Sequence, residues 1–208
     1  KKKGMKRAHV VSSSLFAKKS EEAGVDAIVA EGFEAGGHNG KDETTTLCLI
    51  PNVIENTKLP VIAAGGIVSG RSMLAVMALG ADAVQIGSRF VASAESSAHI
   101  NFKKKIISLK EGDTQLSLKK LIPVRLIKND FYNSVQFAED KGASQHELSL
   151  LLGKGRSKQG MFLGDISKGE LEIGQASSMI NDIKPAAEIL HEIWNEYIVA
   201  KKRLCNVD

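Results

Sequence analysis

Two apolar runs that end in glycine determine the fold of this chain: Pro60-Val61-Ile62-Ala63-Ala64-Gly65-Gly66-Ile67 and Ala83-Val84-Gln85-Ile86-Gly87-Ser88-Arg89-Phe90. Each run is short, apolar and rich in β-forming residues, which is typical of a buried strand in a parallel sheet. A segment of helix length, residues 71–79, lies between the two runs and is followed by Gly80. The spacing therefore predicts two consecutive strand–helix units.

The glycines at the ends of these strands predict a ligand site. Glycine lets backbone N–H groups approach a ligand because no Cβ atom stands in the way. In a (β/α)₈ barrel the loops after the last two strands form a phosphate site. We therefore expect a phosphate-bearing cofactor at the carboxyl-terminal mouth of a barrel.

The chain before these runs shows the same alternation. Residues 8–13 and 26–30 are predicted as strands, and residues 15–23 and 44–56 as helices, with Ser13 or Ser14 as the cap of the first helix. Strands that alternate with helices predict a parallel sheet. The fold class is therefore α/β, of the TIM-barrel type. Because a closed barrel needs eight strands, we expect this chain to hold the last four βα units.

Residues 92–208 do not continue the strand–helix pattern. Short helical segments alternate there with loops rich in Gly and Lys, up to a clear helix over residues 185–202. We therefore predict two domains, a half barrel over residues 1–91 and a mostly helical extension over residues 92–208 that packs on it. We expect the apolar stripe of the last helix to lie against the rest of the protein: Ala186, Ile189, Leu190, Ile193, Trp194, Tyr197 and Ile198. The first residues, 1–5, resemble the end of a helix that leads directly into a strand.

Composition narrows the function classes. The 208 residues carry a formal net charge of +4, and their basic residues are not interleaved with aromatics, which argues against nucleic-acid binding. No apolar run approaches the roughly 18 residues of a membrane-spanning helix. The two cysteines, Cys48 and Cys205, stand far apart, which favours a reducing, cytoplasmic setting over a disulfide framework. No His, Asp or Glu spacing predicts a metal site.

The glycine-rich loop after the second strand contains one histidine. Its sequence is Ala30-Glu31-Gly32-Phe33-Glu34-Ala35-Gly36-Gly37-His38-Asn39-Gly40. Histidine can exchange a proton near neutral pH, and the position after a strand places it on the catalytic face of a barrel. A flexible loop with an incidental surface histidine is the alternative. The strand-end position and the flanking glycines favour a role in chemistry.

These three motifs, in this order and at this spacing, resemble the superfamily of FMN-dependent nitronate monooxygenases and enoyl-acyl carrier protein reductases II. The resemblance is clear over residues 8–99. Residues 153–162 and the run Glu172-Ile173-Gly174-Gln175 are more similar to the reductase branch. Glu31 also favours that branch, since the monooxygenases tend to have glutamine there. By this resemblance the chain corresponds to the carboxyl-terminal two-thirds of such a protein.

The resemblance implies a TIM barrel with FMN across its mouth. It implies that the FMN phosphate lies on the backbone of Gly65 and Gly66 and on the segment Gln85, Ile86, Gly87 and Ser88. It places Glu31, Gly36 and Gly37 beside the cofactor and His38, the candidate catalytic residue, facing flavin and substrate.

The two branches imply different reactions. In the reductase branch NADH or NADPH reduces FMN, and a hydride then passes to a trans-2-enoyl thioester carried on acyl carrier protein, in fatty acid synthesis. His38 then polarises the thioester carbonyl or transfers the proton of the reaction. In the monooxygenase branch His38 removes a proton from a small nitronate precursor, with oxygen as acceptor. A non-catalytic barrel fragment is a third possibility. A homodimer is expected.

Other polar residues are weaker candidates for the functional site. Lys154, Arg156 and Lys158 could meet an acidic carrier protein or a nucleotide phosphate, although a solvated loop is the simpler interpretation. His9 is predicted to pack within its strand, and His99, His146 and His191 have no partner pattern.

Overall fold

The computed structural model describes residues 4–205, so most of the predicted helix end over residues 1–5 lies outside the described range. No helix within this range is both long and apolar enough to cross a bilayer. In chain order the strands and helices are β1 (Ala8–Val11), α1 (Ser14–Glu22), β2 (Ala27–Glu31), β3 (Gly37–His38), α2 (Thr46–Ile54), β4 (Val61–Ala64), α3 (Gly70–Ala78), β5 (Ala83–Gln85), α4 (Ser88–Val91), α5 (Ile100–Ile107), β6 (Thr114–Ser117), β7 (Val124–Ile127), α6 (Asp130–Asp140), α7 (Gln145–Leu152) and α8 (Ala186–Cys205). A π-helical turn spans Lys158–Phe162 and a 3₁₀ turn spans Gln175–Met179.

These elements form two compact units. The first unit comprises described residues 4–34, 42–86 and 190–205, and the second comprises residues 35–41 and 87–189. The predicted domains meet between residues 91 and 92. The compact units instead assign the His38 loop to the second unit and most of α8 to the first.

The first unit is built on a four-stranded parallel sheet in the order β1-β2-β4-β5. Its register aligns Val10 with Val29, Val29 with Ile62 and Ala63 with Val84. The four predicted βα strands and their parallel arrangement are therefore confirmed. The described residues do not close a barrel, because β1 and β5 are the two edges of this sheet.

The core of the first unit joins the sheet to its helices. Ile28, Ala30 and Ala63 on the strands, and Ile50 and Val53 on α2, are fully buried. The prediction that His9 packs inside its strand is wrong, because β1 is an edge strand and His9 is exposed.

Element ends follow local capping chemistry. The first strand ends at Val11, two residues before the predicted end, because Ser13 caps the helix that begins at Ser14. The Ser13 Oγ accepts a hydrogen bond from the Phe16 N–H at 3.3 Å, which satisfies one of the free donors of the first helical turn. The predicted helix over residues 44–56 is observed as α2, two residues shorter at each end.

The carboxyl-terminal part of α8 is attached to the start of α3. The Glu196 carboxylate accepts from the Gly70 N–H at 2.7 Å and from Arg71 Nε at 2.8 Å. A Cβ atom at Gly70 would lie 2.1 Å from the Tyr197 nitrogen, so this approach requires glycine. The predicted apolar stripe is only partly correct, since Leu190 and Trp194 are more than half exposed.

The second unit contains a sheet that the sequence pattern did not reveal. Its three strands are antiparallel in the order β3-β7-β6. Leu118, Val124 and Leu126 pack with Phe131 on α6 and Leu148 on α7 in its core. The prediction of a mostly helical extension therefore missed β6 and β7. Both are four residues long, and polar residues interrupt their apolar pattern.

Candidate functional site

Five predicted site residues of the first unit lie at one edge of its parallel sheet. The register pairs Glu31 with Ala64 and Ala64 with Gln85, so β2, β4 and β5 end at the same level. Gly65 and Gly66 follow β4 directly, and Ile86 follows β5. In open α/β sheets, ligands bind outside these carboxyl ends. The tertiary structure therefore brings Glu31, Gly65, Gly66, Gln85 and Ile86 to one candidate ligand edge.

The backbone after β4 requires glycine. Gly65 and Gly66 have φ angles of +91° and +71°, which residues with a Cβ rarely adopt. A Cβ at Gly65 would also lie 2.8 Å from the Gly32 carbonyl oxygen. Within residues 4–205 no protein acceptor is found for the N–H groups of these two glycines. Such unpaired backbone donors suit an anion.

A glutamate and a threonine that sequence reasoning did not select hold this edge together. The Glu34 carboxylate accepts from the Thr46 N–H at 2.9 Å and from the Thr46 hydroxyl at 2.8 Å. The same hydroxyl lies 3.0 Å from the Gly65 carbonyl oxygen. Thr46 opens α2, inside the helix predicted over residues 44–56, but its partner Glu34 lies 12 positions earlier and no local pattern joined the two.

Glu31 lies partly buried at the end of β2. Burial raises the pKa of its carboxyl group, because a charged carboxylate loses hydration there. The sequence predicted the position of Glu31 but not this electrostatic property.

In the second unit, Gly36 and Ser88 are both in contact with one short segment. A Cβ at Gly36 would lie 2.4 Å from the Ile173 carbonyl carbon, so glycine is needed for this approach. The next residue, Gly174, donates its N–H to the Ser88 Oγ at 2.9 Å. Gly87 has open space where a side chain would project. The structure thus brings Gly36 and Ser88 to the same segment.

His38 lies at the mouth of a cleft within the second unit. It is exposed, and β3 pairs it with Val124 of β7. The cleft has a volume of about 570 Å³, and its polar lining comprises His38, Lys120, Gln145, Ser149, Arg156, Ser157, Glu170 and Glu172. The sequence did not mark the two glutamates as site residues, although Glu172 belongs to the run that resembles the reductase branch. They follow a loop rather than a recognisable strand end.

Gly37 has a structural reason to be glycine in addition to its predicted role at the cofactor. Its φ angle is +75°, and a Cβ there would lie 2.5 Å from the Glu172 Oε2. The Glu172 carboxylate therefore occupies the space into which a side chain at residue 37 would project.

Arg156, for which the sequence left open a carrier contact and favoured a solvated loop, is held by the protein itself. Its guanidinium donates to the carbonyl oxygens of Leu151, Leu152 and Lys168 at 2.7 to 3.0 Å. It also lies over the Phe131 ring, 4.6 Å from the centroid. Among the described residues no group of three His, Cys, Asp or Glu side chains is arranged to hold a metal ion.

Comparison with known proteins assigns the chain to a family. The family model described as nitronate monooxygenase matches residues 1–196. The chain belongs to the nitronate monooxygenase family. The match covers the glycine-ended strands, the His38 loop and the cleft, so the site described above lies within the family's own sequence.

Curated and solved relatives agree with this assignment. The chain is 34% identical over 194 residues to a protein named "Probable nitronate monooxygenase" from Staphylococcus saprophyticus subsp. saprophyticus, which is 83% of this chain and 54% of that relative. It superposes on FabK from Thermotoga maritima with a TM-score of 0.93 and 38% identity, over 100% of this chain and 65% of that one. The nitroalkane oxidase of Streptomyces ansochromogenes matches with a TM-score of 0.80 and 30% identity, over 97% of this chain and 60% of that one. The chain therefore spans about half the length of the curated relative.

Proposed function

We propose that this chain forms part of an FMN-dependent oxidoreductase. The observation that carries this proposal is the backbone after β4, where the N–H groups of Gly65 and Gly66 have no acceptor among residues 4–205 and lie beside the end of β5. The match of residues 1–196 to the nitronate monooxygenase family supports it. The proposal concerns the whole protein to which this chain contributes these residues.

The residues present fit a phosphate-bearing flavin. Gly65 and Gly66 would hold the phosphate through their backbone N–H groups, together with the segment from Gln85 to Ser88. Glu34 and Thr46 would keep the loop after β4 in place through the hydrogen bonds described above. When bound, FMN supplies the hydride and electron chemistry.

His38 would transfer the proton of the reaction. It is exposed at a cleft and lies on a two-residue strand, so its imidazole ring is not needed for core packing. Glu31, whose carboxyl pKa is raised by burial, would stand beside the cofactor at the end of β2.

For the substrate we favour a trans-2-enoyl thioester carried on acyl carrier protein, with NADH or NADPH as reductant and a homodimer as the assembly. Glu31 and the run from Glu172 to Gln175 support this choice, since both resemble the reductase branch. His38 would then polarise the thioester carbonyl or deliver the proton.

The oxidation of small nitronates with oxygen is the second candidate. The name of the curated Staphylococcus saprophyticus relative and the nitroalkane oxidase among the solved structures favour it. In this reaction His38 would remove the proton next to the nitro group.

One set of assays separates these candidates. The protein is purified and its visible spectrum is recorded, and a flavin spectrum is expected. It is then supplied with NADH or NADPH and crotonyl thioester in one assay, and with a nitronate and oxygen in another. Oxidation of the reduced nicotinamide that depends on the thioester would support the reductase.

Oxygen consumption with the nitronate, without turnover of the thioester, would assign the monooxygenase reaction instead. A colourless protein that binds no FMN on titration would contradict the flavin proposal. It would favour a non-catalytic fragment.

A further inference from the structure

The hydroxyl group of Ser88 is bonded to a segment that packs on the His38 loop. Ser88 is the first residue of α4, and its Oγ accepts a hydrogen bond from the Gly174 N–H at 2.9 Å. Among residues 4–205 the hydroxyl proton of Ser88 has no acceptor. A serine hydroxyl donates one hydrogen bond and can accept others at the same time. Ser88 can therefore donate to a ligand while it keeps its bond to Gly174.

The backbone that carries Ser88 is fixed by the residue that follows it. Arg89 is buried, and its guanidinium donates to the Asp182 carbonyl oxygen at 3.1 Å and to the carboxylate of the same residue. Charge-assisted hydrogen bonds of this kind are strong and directional. The short helix α4 is therefore a fixed support, and the Ser88 hydroxyl sets the position of the Gly174 N–H.

The nitrogen atom of Gly174 also lies against the loop that carries His38. A Cβ at Gly36 would lie 2.5 Å from the Gly174 nitrogen and 2.4 Å from the Ile173 carbonyl carbon. Ile173 and Gly174 are both buried. The peptide unit between Ile173 and Gly174 is therefore in contact with both the Ser88 hydroxyl and the backbone of Gly36.

The contact at Gly36 helps to position His38, which lies two residues further on. The strand β3 consists of Gly37 and His38 alone, and the next N–H, that of Asn39, donates to the Pro123 carbonyl oxygen at 2.8 Å. A strand this short is weakly held by backbone pairing alone. A displacement of the peptide that packs on Gly36 would therefore also displace His38.

We propose that Ser88 is a positioning residue that couples the phosphate site of the flavin to the loop that carries His38. The inference rests on the proposed function, in which Ser88 contacts the FMN phosphate and His38 transfers a proton. When the Ser88 hydroxyl donates to a phosphate oxygen, its own oxygen becomes a better acceptor for the Gly174 N–H, because linked hydrogen bonds polarise one another. The phosphate thus holds the Ile173–Gly174 peptide more firmly in place, and the His38 loop with it.

The loss of the Ser88 hydroxyl should therefore have two effects. The phosphate loses one hydrogen-bond donor, and the Gly174 N–H loses its acceptor. The first effect lowers the affinity for FMN. The second loosens the His38 loop, even when every FMN site is filled. A residue that only held the phosphate would produce the first effect alone.

The first test measures amide hydrogen exchange by NMR in the complete protein, with saturating FMN or with saturating riboflavin, which lacks the phosphate. The amide of Gly174 reports the bond to Ser88, and that of Asn39 reports the loop next to His38. In wild type FMN should slow exchange at both amides more than riboflavin does. In Ser88→Ala the Gly174 amide should exchange up to about 10-fold faster, the scale of one lost hydrogen bond, and the two flavins should have the same effect at Asn39.

Two variants serve as controls for this test. Ser88→Thr retains a hydroxyl group and should restore the difference between FMN and riboflavin. Ser134→Ala removes an exposed hydroxyl in the same unit, which donates to the Asp130 carbonyl oxygen at 2.8 Å, and should alter neither amide. If the two flavins differed at Asn39 as much in Ser88→Ala as in wild type, the coupling would be refuted.

The second test measures turnover at saturating FMN. If Ser88 only bound the phosphate, excess FMN would restore full kcat in Ser88→Ala. We expect kcat to stay about 10-fold low at nearly constant substrate KM, which is a smaller loss than the roughly 10²-fold loss expected for His38→Ala. Ser88→Thr should recover most of this loss, and Ser134→Ala should match wild type.

The outcomes distinguish this proposal from the proposed function. Weaker FMN binding in Ser88→Ala, with unchanged exchange at Asn39 and full kcat at saturating FMN, would overturn the coupling and leave the flavin proposal intact. A complete wild-type protein that bound no FMN would contradict the proposed function itself, and the coupling with it.

Discussion

The Glu34 carboxylate accepts two hydrogen bonds from one residue, Thr46, through its backbone N–H and its hydroxyl. The same hydroxyl reaches the Gly65 carbonyl oxygen, so one side chain connects the loop after β2, the start of α2 and the loop after β4. Because Thr46 is buried, these bonds are protected from competition with water. The support of the ligand edge thus depends on a pair of residues that need not touch the ligand.

Thr46→Val should weaken both the fold and flavin binding. Hydrogen bonds to charged groups contribute about 1.5–3 kcal/mol, so urea unfolding should show a loss in this range. FMN titration should show weaker binding, because the loop that carries Gly65 loses its support. Thr57→Val is a matched control, since the Thr57 hydroxyl donates to the Glu21 carboxylate at 2.7 Å elsewhere in the same unit. If Thr57→Val weakened FMN binding equally, the effect would be one of general stability.

In the complete protein, Gly66→Val should abolish flavin retention. The substitution places a branched side chain at a φ of +71°, where the phosphate would approach the backbone. Gly24→Val provides the control, because Gly24 has a φ of +78° and open space around it. It carries the same backbone strain away from the site. Bound FMN is measured by absorbance after gel filtration, and a full complement in Gly66→Val would show that the phosphate lies elsewhere.

His38→Ala should lower turnover by roughly 10²-fold or more, the usual scale for a general acid–base group. Thermal stability should be nearly unchanged, because the imidazole is exposed and β3 is held by backbone pairing. Kinetics and thermal melts of His38→Ala are compared with those of His9→Ala, whose histidine is also exposed. A large loss of melting temperature with normal specific activity would reverse the assignment.

The raised pKa of Glu31 predicts how stability depends on pH. The folded protein holds the Glu31 proton more tightly than the unfolded chain does, so stability falls as pH rises between the usual glutamate pKa and the raised value. Glu31→Gln removes this ionisation. It should therefore be more stable than wild type above that range and similar to it at low pH, where both side chains are neutral.

Urea unfolding across a pH series measures this difference, with the exposed Glu55→Gln as control. A stability difference between Glu31→Gln and wild type that did not vary with pH would contradict the role of burial.

The 208-residue chain on its own should self-associate and hold FMN weakly. Its parallel sheet ends in β1, an edge strand on which Val10 is 48% exposed. Exposed apolar edge strands pair readily with other chains. Val10→Lys should reduce the association, because a charged edge residue opposes strand pairing. Sedimentation and flavin titration provide the measurements, and a monodisperse monomer that binds FMN stoichiometrically would refute the prediction.

The sequence predicted the first unit well because its signals are local. Strand β4 has a continuous apolar run, Ser13 caps α1 and Gly65 ends a strand, and each of these is determined by neighbours along the chain. The second unit was harder to predict. Its strands β6 and β7 are short and interrupted by polar residues, and β3 is only two residues long. Such strands are stabilised by partners distant in sequence, which no local pattern records.

The sequence by itself determined the parallel arrangement of the four βα strands, the glycines at their ends and the histidine in the loop after β2, because apolar periodicity and glycine's backbone freedom are local properties. Only the tertiary structure decided which side chains meet. It joined Glu34 to Thr46 across 12 positions, and it placed Glu170 in the cleft with His38 across 132 positions. The physical reason is that hydrogen bonds and charge interactions act through space. The residues that make them are not spaced periodically along the chain, so no sequence pattern indicates them.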